Sequence, residues 1–405
     1  MALSRAEGDG MNITDSTVSS EDALRRRALE LVPVLRERAA ESEALRQLPA
    51  STLADYEAAE FLAAMRPTEV GGLEISLGAW VDITRTLARG DASAGWVGSF
   101  LMSHAWLLTK LSKEAQEDVF RGQPWALAAA AAAPPGRADR VAGGYRISGR
   151  WRFASGIMHS TWVILMVASD KGMLTCVVPM SDVTIHDTWQ VPGMKATGSN
   201  DVEAIDVFVP EYLAVGFDQV TLPDNPGANA YSYPLLRYPM HRVLPLIHPA
   251  VAIGVAEAML DLFRERLGTR VRIQTRGAIA DEATTHETYG EAFFAVRCAD
   301  LMLRNAVEIV DAAFGTDAAP GLTLDQRAEL NLSVAGAGVQ AFRAVDLLVQ
   351  ASGASALRTG SPIDRICRDT QVMRNHGVLD WRYTAAISGR VLLGKGLGAH
   401  AEALF

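Results

Sequence analysis

Apolar residues recur along this chain with two different periods, and the change of period divides it. From about Ser20 to Arg121 the spacing is helical: Leu29, Val32 and Leu35 lie three residues apart, and Gly71-Gly72 and Gly90-Asp91 punctuate the segments. Between Trp125 and about Pro223 the apolar runs shorten to strand length, at Val163 to Val167, Leu174 to Val178 and Ile205 to Val209, with Asp, Gly and Pro turns between them. After Pro239 long helical patterns return. Phe294, Cys298, Leu301, Met302 and Ile309 share one predicted face, and Leu330, Val334, Ala337, Ala341, Val345 and Leu348 share another, on a helix opened by the capping box Thr323-x-x-Gln326. Long amphipathic helices with short connections predict an antiparallel bundle. The expected architecture is therefore α+β: a polar tail over 1–20, an N-terminal helical domain over 21–124, a middle β-domain over 125–224 and a C-terminal four-helix bundle over 225–405.

Composition narrows the function. A chain of 405 residues, 49% hydrophobic, is ample for a large core, and a net charge of -9 argues against nucleic acid, because phosphate binding needs clustered basic surface. No apolar run approaches the roughly 18 residues of a membrane span, and no basic-then-apolar leader opens the chain, so a cytoplasmic protein without a membrane partner is expected. Cys176, Cys298 and Cys367 are scattered thiols, and the eight histidines are dispersed; His241 and His248 are separated by Pro245, which rules out helical metal spacing between them. No metal is expected. Phosphate-cradling glycine motifs and HExxH are missing from the sequence. A small-molecule ligand is the expected partner.

The stretch GGYRISGRWRFASGIMHSTW, Gly143 to Trp162, reads as a hairpin whose strand ends in an aromatic ring, a hydroxyl and bare glycine backbone. Such an end suits a flat ring with a polar edge, of which flavin is the obvious example; a polar-tipped hairpin is the alternative from these residues alone.

Gly71-Gly72, GDASAGW (Gly90 to Trp96), GGYRISGRWRFASG, VPGMKATGSNDVEAIDVFVPE (Val191 to Glu211) and DRICRDTQVMRNH (Asp364 to His376) occur in this order over nearly the whole chain. Together they resemble the acyl-CoA dehydrogenase superfold, and within it the two-component, reduced-flavin-dependent monooxygenases such as the oxygenase component of 4-hydroxyphenylacetate 3-hydroxylase. The dehydrogenases of that superfold carry a catalytic glutamate before a glycine, about two helical turns after an Arg-Asp pair; here Arg368-Asp369 is followed by His376-Gly377. The missing carboxylate argues for the hydroxylase branch. The resemblance implies FADH2 or FMNH2 from a separate NAD(P)H:flavin reductase, reaction with O2 through a C4a-hydroperoxide, and hydroxylation of a phenolic, indolic or polycyclic aromatic. Amine N-oxidation and acyl-CoA dehydrogenation stay as alternatives. It further implies catalytic roles for His104, Ser155 and His376, and flavin contacts at Trp96, Phe153, Ser155, Thr197 and Ser199.

Arg270 or Arg272 is expected to reach a flavin phosphate across a subunit interface of a homotetramer, packed through Ala335, Gly336, Ala337 and Gly338. Helical geometry places Arg365, Asp369 and His376 on one predicted face. The alanines Ala128 to Ala133 stand where relatives often carry a polar substrate-binding residue, which points to a bulkier, less polar substrate.

Overall fold

Helical and strand periods separate in space as they do in sequence. The computed structural model describes residues 13–121, 125–268, 270–271, 276–316 and 321–398, with side chains from Ser20 onward. The first region holds α1 (Ile13–Leu45), α2 (Ala50–Ala58), α3 (Leu77–Gly90), α4 (Ala92–Thr109) and α5 (Lys113–Val119). Helix α1 already runs from Ile13, inside the segment expected to be a tail. Its buried stripe is Leu24, Ala28, Leu35 and Ala39; Leu29, one residue and about 100° round from Ala28, is exposed, contrary to the expected face.

Every residue of α4 except Phe100 is buried, as befits a helix that is apolar on all sides. Asp91 caps its start by accepting from the Ala94 N–H at 2.8 Å. Gly95 lets α3 approach, since a Cβ there would lie 2.6 Å from that of Ala88.

The middle region is one seven-stranded sheet, with β1 (Ala128–Val141), β2 (Gly144–Ala154), β3 (Trp162–Ser169), β4 (Gly172–Pro179), β5 (Thr184–His186), β6 (Asn200–Pro210) and β7 (Ala214–Gly216) in the spatial order β5-β6-β2-β1-β3-β4-β7. The three expected apolar runs lie within β3, β4 and β6. Sequence reading did not assign the alanine run to a strand, since alanine has little β propensity; it forms the start of β1. There Ala128 to Ala131 pair in parallel with Trp162 to Leu165, and the register shifts before Gly136, where Pro134 and Pro135 lack the N–H a ladder needs.

Short helices α6 (Phe217–Thr221), α7 (Pro226–Ala230) and α8 (Met240–Val243) lead into α9 (Ile247–Leu267), α10 (Ala283–Phe314), α11 (Leu324–Ser352), α12 (Pro362–Met373) and α13 (Trp381–Leu392). The expected face of α11 is buried throughout, and its capping box is formed. On α10 the expected face is wrong. Ala292, Ala295, Val296, Ala299, Leu303, Ala306 and Val310 are buried, while Phe294 and Leu301 are 67% and 61% exposed. Small residues permit the close approach of α10 to α11, so ranking positions by side-chain size selects the outer face. The Ala335 to Gly338 stripe is likewise buried within the chain: a Cβ on Gly338 would meet Leu379 at 2.7 Å. Arg85 ties α3 to α9 and α10 through Glu257, at 3.1 Å, and Asp300. Residues 240–267 and 324–352 are each apolar and long enough to cross a membrane, which the sequence reading did not anticipate, but both are largely buried in the protein.

Candidate active site

Trp96, Phe100 and His104 follow each other at i, i+4 and i+8 on α4, a single ridge along the helix. Their rings touch in sequence, Trp96 to Phe100 at 5.6 Å between centroids and Phe100 to His104 at 5.1 Å. This ridge forms one wall of a cavity of about 510 Å³, whose other walls come from Phe153 and Ser155, the turn carrying Trp189, Met194, Thr197 and Ser199, and the segment from Val372 to Gly377.

The FASG stretch shapes the sheet side. Phe153 has a φ of +64°, unusual for a bulky residue, and Gly156 a φ of +75°. The reversal leaves the Phe153 ring 64% exposed and edge-on to Trp189 at 6.1 Å. Ser155 Oγ accepts from Trp96 Nε1–H at 3.1 Å and lies 2.8 Å from Ser199 Oγ, which is 2.7 Å from Thr197 Oγ1. Thr197 Oγ1 donates to the Met194 carbonyl at 2.9 Å. A carbonyl only accepts, so the Thr197 proton is spent there; Ser199 must then donate to Thr197, and Ser155 to Ser199. The row is fully directed, leaving Ser155 an unused lone pair.

Two neutral histidines carry opposite tautomers. His104 Nδ1 lies 2.8 Å from the Ala128 carbonyl and must hold the proton there, so its Nε2 is an acceptor. Burial lowers its pKa to about 4. His376 Nδ1 instead accepts from the Val378 N–H at 3.3 Å, so its Nε2 carries the proton. Its ring is open on the cavity side and covered by Trp96, at 5.6 Å, and His248, at 4.0 Å. Desolvation lowers its pKa to about 4, an effect that an occupant displacing cavity water would strengthen.

The helical face expected for Arg365, Asp369 and His376 does not exist. Helix α12 ends at Met373, and the N–H groups of Asn375 and His376 bond only three residues back, to Val372 and Met373. His376 leaves in extended conformation, with φ -71° and ψ 135°. Arg365 turns to Glu43 at 3.2 Å, and Asp369 bonds the backbone N–H of Met194. That bond holds the 194–199 turn against α12, where Gly193 touches the Arg368 backbone so closely that a Cβ would lie 2.2 Å from it.

A wider cleft of about 790 Å³ is lined by Arg46, Lys195, Arg365 and Arg368, but its cations are already paired: Arg46 with Asp187, and the other three with Glu43. Burial acts to raise the Glu43 pKa, yet hydrogen bonds from Arg368 and Lys195 outweigh it and hold the group at about 2. The hydroxyl row and the histidines gather in the smaller cavity.

The acyl-CoA dehydrogenase C-terminal domain family matches residues 246–381. A pigment production hydroxylase from a Rhodococcus species is 34% identical over 373 residues, covering 90% of this chain and 94% of that protein. The chain belongs to the flavin-dependent monooxygenases of the acyl-CoA dehydrogenase fold. The HsaA oxygenase subunit of a flavin-dependent monooxygenase from Rhodococcus jostii is 29% identical over 86% of this chain and 93% of its own. Among solved structures, XiaF from a Streptomyces species, in complex with FADH2 and glycerol, superposes with a TM-score of 0.88 at 26% identity, over 96% of this chain and 99% of that one.

The monooxygenase cavity fits a reduced flavin: aromatic rings of Trp96, Phe153 and Trp189 beside a row of hydroxyls offer apolar faces and a polar edge together. Among the described residues no carboxylate lines the cavity, so the glutamate base of a dehydrogenase has no counterpart there. Of the expected site residues, Trp96, His104, Phe153, Ser155, Thr197, Ser199 and His376 line this one cavity. Arg270 does not; its guanidinium donates to the Ala351 carbonyl at 2.9 Å, and Arg272 lies outside the described residues. Phe100, Trp189 and His248 were missed, Trp189 lying edge-on to Phe153 in the cavity wall. Phe100 was legible in the i+4 spacing between Trp96 and His104. His248, at the start of α9, stacks on His376 and has a buried Nε2 with no protein partner. Nothing in the sequence signals it, because only the crossing of α9 with the 374–377 segment joins the two rings.

Proposed function

We propose that this monooxygenase hydroxylates a phenolic, indolic or polycyclic aromatic held between His104 and His376, with reduced flavin, FADH2 or FMNH2, delivered by a separate NAD(P)H:flavin reductase. The observation that carries this reading is the pair of opposite tautomers on one cavity. His104 Nε2 accepts the hydrogen bond of a substrate hydroxyl or ring N–H, which pushes electron density into the ring to be attacked. His376 holds a proton on Nε2 where new charge on oxygen needs a donor. Reduced flavin supplies two electrons, so that one atom of O2 enters the ring and the other leaves as water. Trp96, Phe153, Ser155, Thr197 and Ser199 are the residues that would hold it. The apolar ridge of α4 excludes bulk water, which limits loss of reducing power to hydrogen peroxide.

The proposed assembly is a homotetramer. What supports it is the outward apolar face of α10 around Phe294 and Leu301, rather than the small-residue stripe of α11, which is buried within the chain. The deciding experiment is a mass-spectrometric screen of phenols, indoles and polycyclic phenols with chemically reduced FMN or FAD under ¹⁸O2. A product heavier by one ¹⁸O supports the reading; oxidation of flavin with no labelled product from any class overturns it.

A further inference from the structure

Beyond His104 lies further space. A second chamber of about 170 Å³ lies between α4 and the sheet and shares Phe100, His104 and Ala130 with the first. Its floor is set by strand register: Ala130 pairs with Ile164 and Ile164 with Val177, while Met166 pairs with Thr175, so these side chains share one face of three adjacent strands. Leu107, Leu108 and Leu111 on the α4 side and Phe217 of α6 add to its lining. Among the described residues, Thr175 and His104 are the only polar side chains lining it.

We infer that this chamber binds a second, apolar aromatic ring of the substrate whose reacting ring lies beside His104; the inference rests on the aromatic monooxygenase reading above. Phe100, His104 and Ala130 line both chambers, so the two adjoin, and a two-ring substrate would occupy both. Size selects the occupant: a dry cavity of about 150 Å³ lined by apolar side chains holds one benzene ring, so this chamber takes one ring and not two fused ones. Chemistry agrees, because the walls offer almost no hydrogen bonds and the mouth is flanked by the rings of Phe100 and His104. Ala130 is the smallest of the three shared residues, so a larger side chain there would separate the chambers.

Equilibrium binding of phenol and 4-hydroxybiphenyl, measured by calorimetry on the full-length protein, tests this. Burying one further ring predicts about 50-fold tighter binding of 4-hydroxybiphenyl. Val177→Phe, which fills the floor, should bring 4-hydroxybiphenyl back to within a few-fold of phenol and leave phenol binding unchanged. Phe217→Ala should keep the preference and admit 4-hydroxyterphenyl, which the parent excludes, so the test survives misfolding of either variant. Equal affinities for phenol and 4-hydroxybiphenyl in the parent overturn the inference. So does 4-pentylphenol binding as tightly as 4-hydroxybiphenyl, which would make the chamber a site for alkyl chains. Oxygen incorporation into phenol without any ring preference sinks the second-ring site alone; ring preference without oxygen incorporation sinks the monooxygenase reading alone.

Discussion

At the scale of single residues, the active site depends on where protons sit. His104 and His376 have the same side chain, but the Ala128 carbonyl and the Val378 amide assign them opposite tautomers. They should fail differently. His376→Ala should fold, since the side chain faces a cavity, and should lower the product-forming rate by roughly 100-fold, the low end for a positioned acid or base. Stopped-flow absorbance should show its reaction with O2 altered even without substrate, with hydrogen peroxide in place of product. His104→Ala should instead react with O2 as the parent does without substrate and lose only the transfer to added substrate. A parent-like product yield in His376→Ala would remove that residue from the mechanism. Because burial holds His104 neutral down to about pH 4, kcat/KM for hydroxylation should show no inflection near 6.5, where an ordinary histidine takes up a proton. An inflection there that disappears in His104→Gln would mean the ring is solvated in the working enzyme.

At the scale of elements, two buried carboxylates hold the site together. Asp91 caps α4, the helix that presents Trp96 and His104, and Asp369 anchors the turn that presents Thr197 and Ser199. Burial raises their pKa values to about 6 and about 7, and for Asp369 the nearby Asp91 adds to the effect. A raised carboxylate pKa means that the folded protein keeps a proton which the unfolded chain releases above about 3.8. The stability associated with Asp369 is thus intact below that pH, falls as pH rises towards 7 and is constant beyond. Asp369→Asn retains an acceptor for the Met194 N–H without the charge. Its melting temperature relative to the parent should therefore climb between pH 4 and pH 7 and then level off. A pH-independent difference would show that Asp369 stays ionised in the folded state.

At the scale of the whole molecule, the face around Phe294 and Leu301 presents apolar side chains outward. If copies of the chain cover that face, Phe294→Glu and Leu301→Glu should reduce the oligomer seen by light scattering at micromolar concentration, with the far-ultraviolet circular dichroism of each variant unchanged. An oligomer of parental size in both variants would place the interface elsewhere.

The sequence by itself determined the order of the three regions, the buried face of α11 with its capping box, and the residue types that meet at the cavity. Those features are local: a period of 3.6 or 2, a capping pair, or a motif such as FASG whose residue types are read directly. Tertiary structure decided the rest. Which side of α10 is inside depended on how closely alanines let α11 approach, and the direction of His376 depended on α12 stopping at Met373. The stacking of His248 on His376 joins residues 128 positions apart, and the tautomer of His104 is fixed by a carbonyl on β1. The second chamber exists only because three strands and the helices α4, α6 and α8 place small and apolar side chains around the same space. Proton positions, cavity volumes and ring stacking are properties of groups brought together by long-range packing, and no periodicity along the chain encodes them.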